Sequence, residues 1–308
     1  MPFSLRKKIY TIIIGNPYYI TDELFNTIKS KLTDINLNFE DLEKKYISGD
    51  NKTDSNKKNN IFVNKNTNLK EIIKDIFDIH KDLFMNSIQQ FSISYKNKYQ
   101  FMLSVYIIAK VFFSFRKDIS YNKIFLEFIF LFLLIHDNEE AAFKAMLNFF
   151  SKDNYIYLFF GDNELRKGIT LNNTTFFTFL IKNKMPNLEG HLTQLEIIPE
   201  LYFIDWMKHL FIETLDVSII LHIFDLFILN GEYILFQTAL SILKILEQDL
   251  MNMTISQVLK SLKRLPNKYS REKFFDVFNI FHSVKYEYIK WKSIKLINTH
   301  KKILSEQK

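Results

Sequence analysis

The feature that most constrains this chain is its shortage of the residues that interrupt helices. Six glycines and five prolines are spread over 308 residues, of which 47% are hydrophobic and 32 are phenylalanine. A turn-dense β architecture draws heavily on glycine and proline, whereas long helices exclude both from their interiors. The sequence therefore predicts an all-α fold with one large or two moderate cores, in which phenylalanine supplies much of the volume.

Several classes of chemistry are excluded by residues and spacings that the sequence lacks. With no cysteine, structural disulfides, zinc–thiolate sites and thiol catalysis are ruled out, and the chain suits a reducing compartment. The histidines show no His-Glu-x-x-His spacing, and the glycines form neither a phosphate loop nor a dinucleotide fingerprint. We therefore predict no metal and no cofactor. The N-terminus shows no signal peptide, which predicts a cytoplasmic protein.

The formal net charge of +7 raises the question of nucleic-acid or membrane binding. The lysines are scattered through asparagine- and lysine-rich stretches without an RNA-binding or zinc-finger pattern, so we predict no nucleic-acid partner. Two apolar runs, 101–115 and 124–135, are shorter than the roughly 18–20 residues that a spanning helix needs, and they contain Lys110 and Glu127. Both runs are predicted to be buried core helices, and no transmembrane segment is predicted.

Helical patterns follow one another along most of the chain. Residues 1–46 open it, with Thr21 as the predicted N-cap of a helix over 22–31 whose first turn is acidic. Residues 48–68 are polar and low in complexity, which predicts a disordered insertion. Further helices are predicted over 69–94, 98–115, 119–135, 138–150, 155–160, 174–184, 188–195, 199–212, 216–229, 232–250, 254–263 and 270–302.

The tail from residue 269 is basic and helical in pattern, with Tyr288, Trp291 and Ile294 among lysines. A terminal helix that packs on the domain is the favoured interpretation. A helix that lies on a membrane surface or binds a partner is the alternative.

The most distinctive stretch of the sequence lies in its last third. An aromatic-rich segment with Trp206 reaches Leu210–Phe211, and after a short break the sequence His-Ile-Phe-Asp occupies 222–225. Gly231 marks a turn, and Phe-x-x-Ala-Leu-x-Ile-Leu-Lys follows at 236–244. In order and spacing these landmarks resemble the C-terminal half of a TBC domain, the helical module that stimulates GTP hydrolysis by Rab-type small GTPases.

Within this half, the resemblance makes Trp206, Phe224, Asp225 and Gly231 the structural motif. Phe224 stands where the family has tryptophan, and His222 stands where it has arginine. We expect His222 to be a core packing position rather than a catalyst. A buried Asp225 would need a polar partner.

The match extends more weakly over most of residues 5–265. Residues 8–25 resemble the family's opening, Glu139–Phe143 resembles a helix start, and 192–202 leads into the C-terminal motif. The resemblance implies a multi-helix fold in two helical subdomains. The expected segments are N-terminal helices at 1–47, the insertion at 48–68, an N-terminal subdomain at 69–185, a C-terminal subdomain at 186–268 and a basic C-terminal helix at 269–308.

TBC domains supply two catalytic side chains, or fingers, to the GTPase: an arginine from Ile-x-x-Asp-x-x-Arg and a glutamine from Tyr-x-Gln. The first motif maps onto Ile72, Asp75 and Asp78, so an aspartate stands at the arginine position. The second maps onto Tyr121 and Lys123, so a lysine stands at the glutamine position. The resemblance is therefore to a TBC domain that has lost both fingers.

What the resemblance implies is a GTPase regulator rather than an enzyme in its own right. Its partner would be a Rab-family small GTPase in membrane trafficking, with peripheral contact to endomembranes left open. Ile72, Asp75 and Tyr121 keep the family pattern and are the GTPase-interface candidates. The replaced fingers predict weak or absent GTPase-activating (GAP) catalysis. Two alternatives stay open: an active GAP with Lys123 or Arg116 as surrogate finger, and a helical scaffold that binds no GTPase.

Overall fold

The computed structural model describes residues 3–32, 35–48, 67–84, 97–119, 121–151, 155, 164–263, 265 and 269–306. Within those ranges every regular element is helical, so the all-α prediction is confirmed. The insertion predicted over 48–68 and the helix predicted over 155–160 lie almost entirely outside the described residues. Among the helices of these ranges, none is long and apolar enough to cross a membrane.

The chain divides into two compact units, Met1–Ile156 and Tyr157–Lys308. The described helices of the first unit are α1 (Phe3–Ile14), α2 (Asp22–Ser30), α3 (Phe39–Ser48), α4 (Thr67–Phe84), α5 (Lys98–Phe115), α6 (Lys123–His136) and α7 (Glu139–Ser151). Those of the second unit are α8 (Glu164–Lys184), α9 (Pro186–Gln194), a 3₁₀ turn (Pro199–Leu201), α10 (Phe203–Lys208), α11 (Val217–Asn230), α12 (Tyr233–Leu250), α13 (Ile255–Lys263), α14 (Arg271–Ile280) and α15 (Val284–Glu306).

The first unit is built around two helices that are apolar on nearly all sides. Every residue of α6 after Lys123 is buried, and so is most of α5. Helices α1, α4 and α7 pack around α6, while α2 and α3 pack on α5. Phenylalanine rings fill the space between them: the Phe112 and Phe125 centroids lie 4.7 Å apart, and those of Phe128 and Phe150 lie 5.1 Å apart. Burial of each such ring stabilises the fold by about 1.5–3 kcal/mol.

Side-chain caps fix where the helices of the first unit begin. The Thr21 hydroxyl accepts a hydrogen bond from the Leu24 backbone N–H at 3.1 Å, and the first turn of α2 is acidic, as predicted. Asn97 and Asn122 cap α5 and α6 in the same way. The cap of α6 fixes the position of Lys123, one of the candidate residues.

A pair of amides, one buried on α7 and one on an exposed loop residue, closes the loop between α1 and α2. The Nδ2 of Asn148, fully buried on α7, donates to Oδ1 of Asn16 at 3.0 Å. Asn16 in turn accepts from the backbone N–H of Ile20 and donates to its carbonyl oxygen, both at 2.9 Å. The loop directs its polar groups inward and leaves Tyr18 and Tyr19 exposed. No sequence pattern predicts this pair, because single asparagines in an asparagine-rich chain give no signal.

The second unit is centred on α12, which packs against α11, α14 and α15. The ring of Phe236 on α12 lies 5.0 Å from Phe176 of α8 and 5.5 Å from Phe203 of α10, measured between centroids. Helix α8 therefore packs with the second unit, because its aromatic face finds its partners on α10 and α12. The subdomain boundary at residue 185 that the resemblance implies stays a prediction.

The basic tail forms two helices rather than the single helix predicted over 270–302. Helix α14 ends before Phe281, which is 5% exposed, and α15 begins at Val284. The buried Gln237 of α12 donates from Nε2 to the carbonyl oxygen of Phe278 at 2.7 Å, which satisfies a terminal carbonyl of α14. The break allows both helices to pack on α12.

Candidate functional site

Helix α4 carries the first group of candidate residues. Ile72, Asp75 and Asp78 are spaced by three positions and lie along one side of the helix. Ile72 is 4% exposed and packs in the core, whereas Asp75 and Asp78 are half-buried. Ile72 therefore holds the helix in place and offers no surface to a partner. Of these three residues, the two aspartates are the accessible ones.

A hydrogen bond joins α4 to the segment that precedes α6. The Tyr121 hydroxyl donates to Oδ2 of Asp75 at 2.7 Å, and the Tyr121 ring lies edge-on to Phe113 with centroids 5.5 Å apart. Burial, and then the hydrogen bond to Asp75, raises the pKa of Tyr121 well above its usual value of 10. The hydroxyl therefore stays protonated and donates. The structure brings together residues of the two finger motifs that lie 46 positions apart.

Lys123 is the first residue of α6. The Oδ1 of Asn122 accepts from the backbone N–H of Ile124 at 3.0 Å, and this cap leaves Lys123 half-buried in the first turn. The partial positive charge at a helix N-terminus disfavours a nearby cation by about 0.3–1 kcal/mol. An uncharged glutamine side chain would not be disfavoured by the helix N-terminus. Replacing glutamine with lysine at this position therefore carries an electrostatic cost.

Arg116 ends α5 and turns its guanidinium onto its own loop. Its Nε and Nη2 donate to the two carboxylate oxygens of Asp118 at 2.8 and 2.7 Å. The guanidinium beside Asp118 holds the pKa of that carboxyl below its usual range. The guanidinium of Arg116, the possible surrogate finger, is therefore already paired with Asp118, whose side chain is about three-fifths exposed to solvent. On the motif match, Ser120 stands where glycine is usual in the resembled family, and it lies outside the described residues.

The C-terminal landmarks have structural roles in the second unit. Trp206 is 3% exposed, and its Nε1 donates to the carbonyl oxygen of Leu262 at 2.9 Å, which ties α10 to α13. Phe224 and Asp225 are buried within α11. Gly231 ends α11 with a φ of 88° and a ψ of −167°, a conformation that is essentially restricted to glycine.

Two consecutive left-handed residues follow α10, and no local sequence pattern predicts them. Leu210 has a φ of 47° and Phe211 a φ of 60°, and both side chains are fully buried. Their backbone N–H groups donate to the carbonyl oxygens of Met207 at 3.3 Å and Trp206 at 2.9 Å. A left-handed conformation costs a residue with a side chain roughly 1–2 kcal/mol. Burial of the two side chains offsets that cost, which explains a Leu-Phe pair at this turn.

His222 lines a surface groove, which corrects the expectation that it packs in the core. The residue is half-buried, and its ring lies edge-on to Phe275 with centroids 4.4 Å apart. The groove has a volume of ≈ 370 Å³ and is also lined by Leu226, His282 and Lys285. Its position between α11, α12, α14 and α15 follows from the break between the last two helices.

Known proteins resemble the chain in sequence and in fold. A family model described as the Rab-GTPase-TBC domain matches residues 3–251. The chain is 26% identical over 275 residues to TBC1 domain family member 12 of Xenopus tropicalis and, separately, to TBC1 domain family member 14 of Homo sapiens. Each match covers 89% of this chain and 37% of the relative, so the chain spans little more than a third of their length. The crystal structure of the Chlamydomonas flagellar RabGAP TBC domain has a TM-score of 0.57 and 17% identity, covering 94% of this chain and 82% of that one.

Proposed function

Because this chain belongs to the Rab-GTPase-TBC domain family, we propose that it binds a Rab-type small GTPase with little or no finger-dependent catalysis. One observation carries the proposal: on the motif match, Asp78 and Lys123 take the positions of the catalytic arginine and glutamine. Binding without catalysis would make the protein a regulator or effector of Rab-dependent membrane trafficking. Its place of action would be the cytoplasmic face of endomembranes.

The exchange at Asp78 reverses the charge that GTP hydrolysis needs. An arginine finger places a permanently charged donor fork against the charge that develops on the transferred phosphoryl group, and it is worth roughly 10³–10⁵ in rate. A carboxylate has the opposite sign and repels that charge, more strongly where water screens poorly. Asp78 is half-buried, so screening is reduced. The GTPase would hydrolyse GTP close to its intrinsic rate.

The exchange at Lys123 removes a hydrogen-bond acceptor. A glutamine finger orients the attacking water by donating through its amide nitrogen and accepting through its carbonyl oxygen. A lysine ammonium donates only. Lys123 can meet a phosphate as a point charge, but it has no oxygen with which to hold the water.

The backbone that would present the fingers is held in place, which favours retained binding. The 2.7 Å hydrogen bond from Tyr121 to Asp75 links α4 to the start of α6. Ile72 anchors α4 in the core. Binding without catalysis requires that the backbone of the finger region is kept while the catalytic side chains are replaced.

The main alternative is an active GAP in which other cationic residues of the chain act as surrogate fingers. Arg116 would have to leave its bidentate pair with Asp118 before it could reach a phosphate. Lys123 starts α6, where the helix end opposes its charge. Both observations favour the non-catalytic proposal.

Two measurements on the purified chain separate the candidates. In pull-downs across a panel of Rab-type GTPases, we expect at least one to bind in its GTP-loaded form in preference to its GDP-loaded form. Failure of the whole panel to bind would support the scaffold that binds no GTPase. In single-turnover hydrolysis with a bound GTPase, we expect less than about tenfold acceleration, because the group worth roughly 10³–10⁵ is replaced. Stimulation equal to that of a finger-bearing TBC domain would refute the proposal.

Restoring the fingers tests the two assigned positions. The double substitution Asp78→Arg, Lys123→Gln should produce measurable GAP activity, and adding Ser120→Gly should increase it, since glycine permits loop conformations that serine resists. Arg116→Ala in the unmodified chain is the matched control and should leave the low basal rate unchanged. If the triple variant binds its GTPase with unchanged affinity but hydrolysis stays at the intrinsic rate, the two positions are wrongly assigned.

A further inference from the structure

The side of α15 that faces solvent combines apolar side chains with lysine. Tyr286 is 73% exposed and Ile289 is 54% exposed, and Lys290 is exposed beside them. These positions recur on one side of the helix, because residues three and four apart share a face. On the opposite side Val284 and Tyr288 are buried against the second unit. Over residues 284–295, helix α15 is therefore packed along one face and open along the other.

The charge of α15 is almost wholly positive. Over its length the sequence has six lysines and two glutamates. One of these, Glu287, pairs with Lys184 at 2.7 Å. On the neighbouring helix, Glu232 pairs with Lys292 of α15 at 3.0 Å. Both of these carboxylates are thus matched by lysine, and they do not offset the remaining lysines of the helix.

We propose that α15 is a docking surface for an anionic lipid bilayer. The helix would lie flat, with Tyr286 and Ile289 entering the interface and Lys290 meeting the headgroups. Lys285, at the edge of this face, would join it by leaving the Tyr233 ring, whose centroid lies 5.7 Å from its Nζ. Lysine stems bury their methylene groups along apolar surface while the ammonium stays in the polar layer, and tyrosine suits the same boundary. A helix of 23 residues is about 34 Å long, and the face described over residues 284–295 occupies its first half.

The mixture of side chains favours a bilayer over a nucleic acid. A nucleic-acid backbone needs cations but gains little from an exposed isoleucine and tyrosine. Helix α15 has no arginine, the residue that pairs bidentately with phosphate. An anionic bilayer uses both components, since each lysine near its surface strengthens binding about fivefold and each buried apolar group adds to it. The proposal is independent of GTPase binding, because the finger positions lie in the first unit.

Vesicle co-sedimentation of the full chain tests the proposal. We expect binding to vesicles of phosphatidylcholine mixed with phosphatidylserine, little binding to phosphatidylcholine alone, and weaker binding as salt screens the lysines. Lys285→Gln, Lys290→Gln should lower partitioning to the anionic vesicles by about 25-fold, from about fivefold per lysine. The matched control Lys260→Gln, Lys263→Gln removes the same charge from exposed positions on α13 and should change it by no more than about twofold.

A second pair of variants tests the apolar half of the proposal. Tyr286→Ser, Ile289→Ser keeps every charge and should also weaken vesicle binding, with the loss persisting at high salt. Unchanged thermal unfolding of these surface variants would confirm that they fold. Equal losses in the α13 control would mean that net charge alone drives binding, and the proposal would fail. It would also fail if the serine pair abolished Rab pull-down but left vesicle binding intact, since the face would then bind protein.

Discussion

Breaking the hydrogen bond between Tyr121 and Asp75 is the most direct test of how the finger region is built. Tyr121→Phe removes the hydroxyl that donates to Asp75 at 2.7 Å and keeps the ring that lies 5.5 Å from Phe113. The substitution leaves packing almost unchanged and takes one donor from a half-buried carboxylate on α4. Its effect therefore measures the link between α4 and the start of α6.

The expected size follows from the charge and exposure of the pair. A hydrogen bond to a charged group contributes about 1.5–3 kcal/mol, and partial exposure lets water replace some of it, so we expect Tyr121→Phe to cost about 1–2 kcal/mol. In a double-mutant cycle with Asp75→Ala, the coupling energy should have a similar size, because each single change removes the same bond.

Urea denaturation of the four proteins in the cycle, monitored by circular dichroism, gives this coupling energy. The comparison requires that the free energy of unfolding falls with urea concentration at the same slope in all four proteins. Tyr99→Phe is the matched control. Its hydroxyl also donates to a carboxylate, Glu43, at 2.8 Å, but Glu43 keeps hydrogen bonds from Lys98 at 2.9 and 2.7 Å. The control should therefore cost less than Tyr121→Phe.

The raised pKa of Tyr121 gives a second readout with a definite sign. The unfolded chain loses the tyrosine proton near pH 10, while the folded chain retains it to higher pH. The stabilisation is therefore fully present below pH 10 and is lost as the pH rises further, so the unmodified chain should lose stability more steeply there than Tyr121→Phe. A coupling energy near zero, with equal alkaline losses in both proteins, would refute this account of the link.

Three further substitutions test other features of the fold. Gly231→Ala should cost about 1–3 kcal/mol by urea denaturation, from backbone strain alone, because no atom of the described structure lies within 4 Å of the added Cβ. Burial lowers the pKa of His136 to about 4, so the unmodified chain should lose up to about 3 kcal/mol as pH falls from 6.5 to 4. A pH series should show that His136→Leu loses less. Trp206→Phe leaves the Leu262 carbonyl without its indole donor and should cost about 1–3 kcal/mol, read as a larger fall in thermal midpoint than that caused by Trp291→Phe.

Features that depend on neighbouring residues in the chain could be predicted from the sequence. The shortage of glycine and proline indicated helices, the apolar runs indicated buried ones, and Thr21 marked the start of α2. The motif spacing that placed Gly231 at a turn also has a local cause, since a φ of 88° there favours glycine.

Features that depend on distant partners could not be predicted. The break before α15 lies where Gln237, on another helix, donates to a terminal carbonyl of α14. The left-handed pair at Leu210 and Phe211 exists because the core accepts both side chains. At the candidate site, motif matching placed Asp75 and Tyr121 in separate segments, and only the folded chain shows that they share a hydrogen bond.

The amide pair of Asn16 and Asn148 sets an order of events during synthesis. The two residues lie 132 positions apart, so the loop after α1 cannot close until the chain has been made through α7. Helices α1 and α2 also pack on α7, and the Phe25 ring lies 5.3 Å from Phe143 of that helix between centroids, so part of the cover over Phe25 is missing until then. Closing so long a loop loses entropy before its contacts form, which slows folding. A nascent chain that has not yet reached α7 would therefore be prone to aggregation and depend on chaperones.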